Sequence, residues 1–385
     1  MGKKTYKKLG DYIELVWGRN DDLAITKLMG ISTAKHFLPS IANTIGTNMS
    51  NYKVVRHNDF VYVPDTSRRG DKIAIAKYNE QDDCIVSQAY TPFRVIDENE
   101  LNPDYLMMWF RRPEFDRYAR FHSHGSVREI FSWEDMCNVS LPIPDIDEQR
   151  KIVAEYQTIE KRIENNNRLI HALEQTAQNI YHHMFVENID PENLPDGWNV
   201  TTIENYFGKV TIGKTPPREK ADCFVTDGSG IKWVSIADMK TVSPFIVFTS
   251  ECLTDRAILD YKVKVVPKNT ILLSFKMTVG RVSITTEDMC TNEAIAHLVC
   301  KDKAQLAYTY FYLKDFDYTK LGNTSSISDA VNSKIIKQMK FVKPIDECMM
   351  KFAEKVSPIL DIEYLIAKEN MQLQKAMNFL LSKLS

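Results

Sequence analysis

The feature that most constrains this 385-residue chain is that it is written twice. YKVVRHNDFVYV begins at Tyr52 and YKVKVVPKNTILLS at Tyr261. CIVSQAYTPFRV at Cys84 answers CTNEAIAHLVC at Cys290, and YLMMWF at Tyr105 answers YTYFYL at Tyr308. SVREIFSWEDMCNVSLPIP at Ser126 answers SISDAVNSKIIKQMKFVKP at Ser326, and IDEQRKIV at Ile146 answers IDECMMKF at Ile345. The offset falls steadily from 209 to 199 as small loop differences accumulate. Five pairings in one order define a duplication, and a duplicated chain folds as two similar units.

Each half runs into a long heptad stretch. In the first, Ile152, Tyr156, Ile159, Ile163, Asn166, Ile170, Leu173, Ala177, Ile180 and Met184 fall at alternating spacings of four and three. In the second, Phe352, Val356, Ile359, Glu363, Ile366, Asn370, Leu373, Met377, Leu380 and Leu384 keep that phase. Such a seam, longer than an ordinary globular helix sustains, predicts a coiled coil. A globular unit lies between the two helices, so the simplest pairing is antiparallel, with Asn166 and Asn370 helping to fix register. The expected fold is α+β: two homologous α/β heads separated by two long helices in an antiparallel coiled coil, with pseudo-twofold symmetry. The expected boundaries are 1–145 for the first head, 146–187 for its helix, 188–344 for the second head and 345–385 for its helix.

Two motifs suggest enzymes and fail on inspection. GKVTIGKT at 208–215 spells a P-loop, but Pro216 and Pro217 follow at once and forbid the helix whose N-terminus would hold phosphate. LGDYIELVWGRN at Leu9 aligns with this stretch, placing Glu14 opposite Gly208, Arg19 opposite Lys214 and Asn20 opposite Thr215, so the repeat does not preserve the motif. NPDY at 102–105 resembles the base-gripping NPPY of amino-methyltransferases but lacks its second proline, and the other copy reads QLAY. Asn102 and Pro103 read instead as a helix cap and first turn. The seven cysteines include no C-x-x-C, and His122 and His124 have no further ligands in view. No run of about 18 apolar residues suggests a membrane span. The chain reads as cytoplasmic, with no cofactor or metal of its own.

Net charge is −2, so any nucleic-acid contact must be local. SRRGDK at 67–72 concentrates Arg68, Arg69 and Lys72, and Tyr261 to Thr286 carries five basic residues and no acid. Two similar heads at a fixed separation suit a reader of paired half-sites on DNA, and heads of different sequence imply different half-sites.

LPIPDIDEQRKIVAEYQTIEKRIE at 141–164 resembles the start of the conserved helix in specificity subunits of type I restriction–modification systems. LPDGWNVTTIENYFGKVTIGKTPP at 194–217 is similar to the opening of their second target-recognition domain, where a Gly-Thr-Pro turn is common. The likeness spans the whole chain, although KPIDECMM in the second copy lacks the usual Gln-Arg. The resemblance implies a non-catalytic chain that recognises double-stranded DNA at a bipartite site. It implies assembly with two DNA adenine methyltransferase subunits and, in some systems, translocating nuclease subunits. S-adenosylmethionine, ATP and magnesium would belong to those partners.

Within the heads, the expected DNA contacts are Arg68, Arg69 and Lys72 in one hairpin-like loop and Lys276, Thr278 and Arg281 in the other. FVYV and KIAIA, then TILLSF and RVSI, are the flanking strands. Gln88 and Asn292 at matching positions, suited to adenine, and Lys214 complete the set. HSHGS at 122–126 and NTSS at 323–326 are further polar loops. Two other readings remain: a specificity chain serving a fused methyltransferase–nuclease, and a coiled-coil scaffold whose heads bind something other than DNA.

Overall fold

A computed structural model describes residues 6–41, 46–67, 72–125, 128–321 and 331–384. The chain divides into two compact units, residues 1–161 with 375–385, and residues 162–374. Each long helix is therefore shared between the units.

In the first unit, strands β1 (Ile13–Leu15), β2 (Phe60–Tyr62), β3 (Ile75–Lys77) and β4 (Thr91–Val95) form an antiparallel sheet in the order β1-β4-β2-β3. Phe60, Val61 and Tyr62 are all buried, because both faces of the central strand are covered. That burial explains the continuous apolar run where a half-exposed strand would alternate. Helix α1 (Pro103–Phe110) starts at Asn102, whose side chain accepts from the amides of Asp104 (2.8 Å) and Tyr105 (3.1 Å). Helix α2 (Pro113–Phe121) follows, and the long helix α3 (Ile146–Phe185) begins after the last short strand.

The second unit repeats the plan. Strands β5 (Thr211–Ile212), β6 (Phe245–Ile246), β7 (Thr270–Ser274), β8 (Val282–Thr285) and β9 (Ile295–Val299) take the order β5-β9-β7-β8-β6. This is the first sheet with one added parallel edge strand, β6. Helix α4 (Lys303–Asp315) stands where α1 stood, and the long helix α5 (Asp346–Ser382) closes the chain. Small details repeat as well. The Tyr105 hydroxyl donates to the Pro142 carbonyl at 2.9 Å, and the Tyr308 hydroxyl to that of Val342 at 2.7 Å. Asn58 and Asn269 each enter their central strand in the left-handed region, at φ 67° and 65°. Asparagine tolerates that region better than most side chains.

The long helices run antiparallel within the second unit. Asn166 Nδ2 donates to Asn370 Oδ1 at 2.9 Å, while Arg162 pairs with Glu369. Farther along, Tyr181 and Phe185 meet Phe352, with ring centroids 6.0 and 5.3 Å apart. The expected seam is buried at Tyr156, Asn166, Ile170, Ala177, Phe352, Val356, Glu363, Ile366, Met377 and Leu384. Ile152, Ile159, Ile163, Leu173, Ile180, Met184, Ile359, Asn370, Leu373 and Leu380 are only half-buried. Val153, Tyr181, Phe185, Ala353, Leu360 and Leu381 are buried instead. The stripe has shifted by one residue toward the helix ends. There the helices serve the head: Tyr181, Phe185, Phe352 and Val356 share one core with Tyr308, Phe311 and Phe341. A helix of 3.6 residues per turn drifts about 20° per heptad from a strict seam, and packing onto a head favours that drift.

Candidate nucleic-acid interface

Strand register decides which loops share an edge. Leu15, at the end of β1, pairs with Phe93 near the start of β4, and Tyr62, at the end of β2, pairs with Thr91. The loop after β1, the β2–β3 connection and the turn before β4 therefore leave the sheet on one side. The second head obeys the same rule, with Ile212 opposite Ala296, Ser274 opposite Ile295 and Leu273 opposite Val282. Of the residues that the sequence nominates, Lys72 and Gln88 lie on the first edge, and Lys214, Lys276, Thr278, Arg281 and Asn292 on the second.

On the first edge, Gln88 is exposed and lines a cleft of about 530 Å³ with Trp17, Arg19, Asn51 and Lys53. Lys72 is exposed just before Ile73, whose amide donates to Asp116 Oδ1 at 3.2 Å. Asp116 also pairs at 2.9 Å with Lys35, a buried lysine whose ammonium donates to the Phe110 carbonyl. Burial lowers the Lys35 pKa, opposed by Asp116. The base of the β2–β3 connection is thus fastened to α2. Arg68 and Arg69 lie outside the described residues. The HSHGS segment reaches the same edge: His124 and Asp65 both bridge to Ile130, and Thr66 donates its amide to the Glu129 carbonyl at 2.9 Å. NTSS at 323–326 lies outside the described residues.

On the second edge, Lys214, Asn292 and Lys276 converge. The Lys214 amide donates to the Thr291 carbonyl at 2.9 Å, and its ammonium to the Tyr261 carbonyl at 2.7 Å. Asn292 Oδ1 accepts from the Ala294 amide at 3.0 Å, holding the turn. Lys276 is exposed. Glu293 is partly buried, yet the Thr215 hydroxyl, with Lys276 and Arg218 nearby, keeps its carboxyl below the usual range. Arg281 donates to the Ile236 carbonyl at 2.7 Å, so its guanidinium braces the loop. Thr278 is half-buried, and its carbonyl accepts from the Ser274 hydroxyl at 2.5 Å. Beneath the turn, His297 is fully buried between the hydroxyls of Thr211 (2.9 Å) and Thr291 (2.7 Å). Burial pushes its pKa down to about 4 and keeps the ring neutral.

GKVTIGKT is not a phosphate cradle. After β5 the chain continues without a helix to a short 3₁₀ turn at Ala221–Cys223. Gly213 is needed because a Cβ there would sit 2.1 Å from the Asn292 carbonyl oxygen. Tyr105 of NPDY is buried with its hydroxyl engaged, so it presents no stacking face to a base. Among the described residues, no group of three His, Cys, Asp or Glu side chains is arranged to hold a metal. No helix among them is long and apolar enough to cross a membrane.

Sequence reading missed Trp17, Asn51 and Lys53. Trp17 interrupts an otherwise polar turn in WGRND, and that is the signal that could have found it.

A family model described as the type I restriction modification DNA specificity domain matches the chain twice, over residues 7–175 and 195–375. The specificity subunit of type I restriction enzyme HindI from Haemophilus influenzae is 22% identical over 86% of each chain. A putative MjaX specificity subunit from Methanocaldococcus jannaschii is 23% identical over 74% of this chain and 68% of its own. The crystal structure of a type I system S subunit from M. genitalium superposes with a TM-score of 0.55 at 14% identity, covering 99% of this chain and 96% of that one. This likeness supports the fold.

Proposed function

The chain belongs to the type I restriction modification DNA specificity family and is a specificity subunit, and from that premise we propose that each head reads one half of an asymmetric, bipartite DNA sequence. The observation that supports this reading is the shared edge. In both heads, the same three loops leave one side of the sheet carrying exposed Lys72 and Gln88, or Lys276. Arginine, glutamine and asparagine recognise base edges in the major groove, while lysine anchors phosphate. Among the described residues, neither head presents a long helix at this edge, so side chains on loops carry the readout.

In this reading the chain performs no chemistry. Two DNA adenine methyltransferase subunits, carrying S-adenosylmethionine, supply methylation, and translocating nuclease subunits supply ATP- and magnesium-dependent cleavage. The paired helices set the gap between half-sites. A genome-wide N6-methyladenine map, with and without this chain in cells holding its methyltransferase, tests the reading. Loss of one bipartite motif with a fixed gap is expected, and an unchanged map in cells with demonstrated methyltransferase activity overturns it. Exchanging residues 1–145 for another member's first head should then alter one half-site only.

A further inference from the structure

We propose that Trp17 is a specificity-determining residue of the first head, making apolar contact with a base of its half-site. The proposal rests on the reading of this edge as the DNA-facing one.

Trp17 is 81% exposed, an unusual state for the largest apolar side chain. The backbone around it is fixed on both sides. The Val16 amide donates to the Pro92 carbonyl at 3.1 Å, and the Gly18 carbonyl accepts from the Val54 amide at 3.0 Å. Asn20, only 1% exposed, locks the end of the loop. Its amide donates to the Tyr52 carbonyl, and its side chain both donates to and accepts from the backbone of Ile25. The indole is therefore held in solvent by a braced loop.

Its surroundings match a nucleic acid. Trp17 shares its cleft with Arg19, Lys53, Asn51 and Gln88. Neither the Arg19 guanidinium nor the Gln88 amide has a hydrogen-bond partner among the described residues, and both are exposed. An aromatic plane beside an available guanidinium and a carboxamide can meet a base and its phosphate together. The corresponding loop of the second head does not copy this arrangement. There Ile212 stands opposite Trp17 and is half-buried at the end of β5, and an exposed apolar side chain is found instead at Met277 on the β7–β8 hairpin. The two half-sites are thus contacted by apolar groups placed on different loops.

The test uses the full-length chain in its complex with methyltransferase subunits and DNA carrying the mapped site. Trp17→Ala should weaken specific binding about 5- to 150-fold, the range spanned by the loss of one base-pair contact in a duplex site. Non-specific binding and the second half-site should be unchanged, and Trp17→Phe should retain most of the affinity. Discrimination should relax within the first half-site alone. Of the five tryptophans only Trp17 is exposed, the others being buried or half-buried, so specific DNA should also shield one tryptophan from acrylamide quenching. Unchanged affinity and motif in Trp17→Ala, while the wild type reads its site, overturns the proposal. So does shielding by the methyltransferase subunits without DNA. Absence of any sequence-specific binding by the wild-type complex instead removes the DNA reading itself, and this proposal with it.

Discussion

In the first head, Gln149 reaches from the long helix into the head and is fully buried. Its Nε2 donates to the carbonyls of Glu100 (2.9 Å) and Pro144 (2.8 Å), and its Oε1 accepts from the Asn102 amide at 2.8 Å. In the second head, Cys348 stands at the matching place, and Gln305 of α4 accepts from the Lys301 amide at 2.8 Å. One head is fastened by its long helix, whereas in the other a glutamine of α4 itself holds the turn that leads into that helix. The duplication kept a glutamine at work before this helix and left its place in the chain free to change.

The sharpest way to break this comparison is to remove both residues in turn. Gln149→Ala leaves an amide and two carbonyls without their partner. Each buried orphan costs about 1–3 kcal/mol, so a loss of about 3 kcal/mol localised to the first unit is expected. Cys348→Ala should cost less than about 1 kcal/mol. Hydrogen exchange at residues 101–110 and at 303–313, followed through urea unfolding, resolves the two units. Equal losses would show that the heads are fastened alike.

A second difference concerns titration. Glu363 of α5 is fully buried, and neither carboxylate oxygen has a hydrogen-bond partner among the described residues. Burial, with Glu174 nearby and only partly offset by Lys314, pushes its pKa up to about 8. Tyr310 caps Glu174, donating its hydroxyl at 2.5 Å. Because the folded state holds this proton more tightly than the unfolded chain, the contribution is fully present below the ordinary glutamate range, about 4.3. It is lost as pH rises toward 8. His297 acts in the opposite sense. Its folded pKa lies near 4, so stability falls as pH drops through the ordinary histidine range toward that value. Glu363→Leu should flatten the alkaline side of the second unit's stability profile. It should also add about 1–3 kcal/mol near neutral pH by removing an unsatisfied buried group. A profile unchanged by the substitution would show that Glu363 is hydrated in solution.

How much of this was written in the sequence depends on what each residue packs against. The duplicated strands were legible because FVYV and TILLSF are buried on both faces, and burial leaves few acceptable side chains. The antiparallel helix pair was legible from its seam, with Asn166 bonded to Asn370 as register required. The rotation of the stripe to Tyr181 and Phe185 was not, since it depends on core partners more than a hundred residues away, such as Tyr308. The loops were least legible. Lys276, Arg281 and Asn292 look equally available in a string of letters. In the fold, Arg281 braces Ile236 and Asn292 holds its own turn, while Lys276 remains exposed. IDEQ carried the family resemblance, yet the task of Gln149 emerged only from its three backbone partners.

The smallest effect asks where the two heads remain the same. Tyr105 and Tyr308 are both 1% exposed, and each donates its hydroxyl to the strand that precedes its long helix. Tyr105→Phe and Tyr308→Phe each delete one hydrogen bond and leave one carbonyl short of a donor, at a cost of about 1 kcal/mol. Burial raises both hydroxyl pKa values, so neither ionises in the neutral range and the cost should be flat across it. If the duplication preserved the energetics of this contact as well as its geometry, the two losses should agree within about 0.5 kcal/mol, and the double variant should show their sum. A clear inequality would locate divergence at the head–helix joint itself, the place where Gln149 and Cys348 already differ.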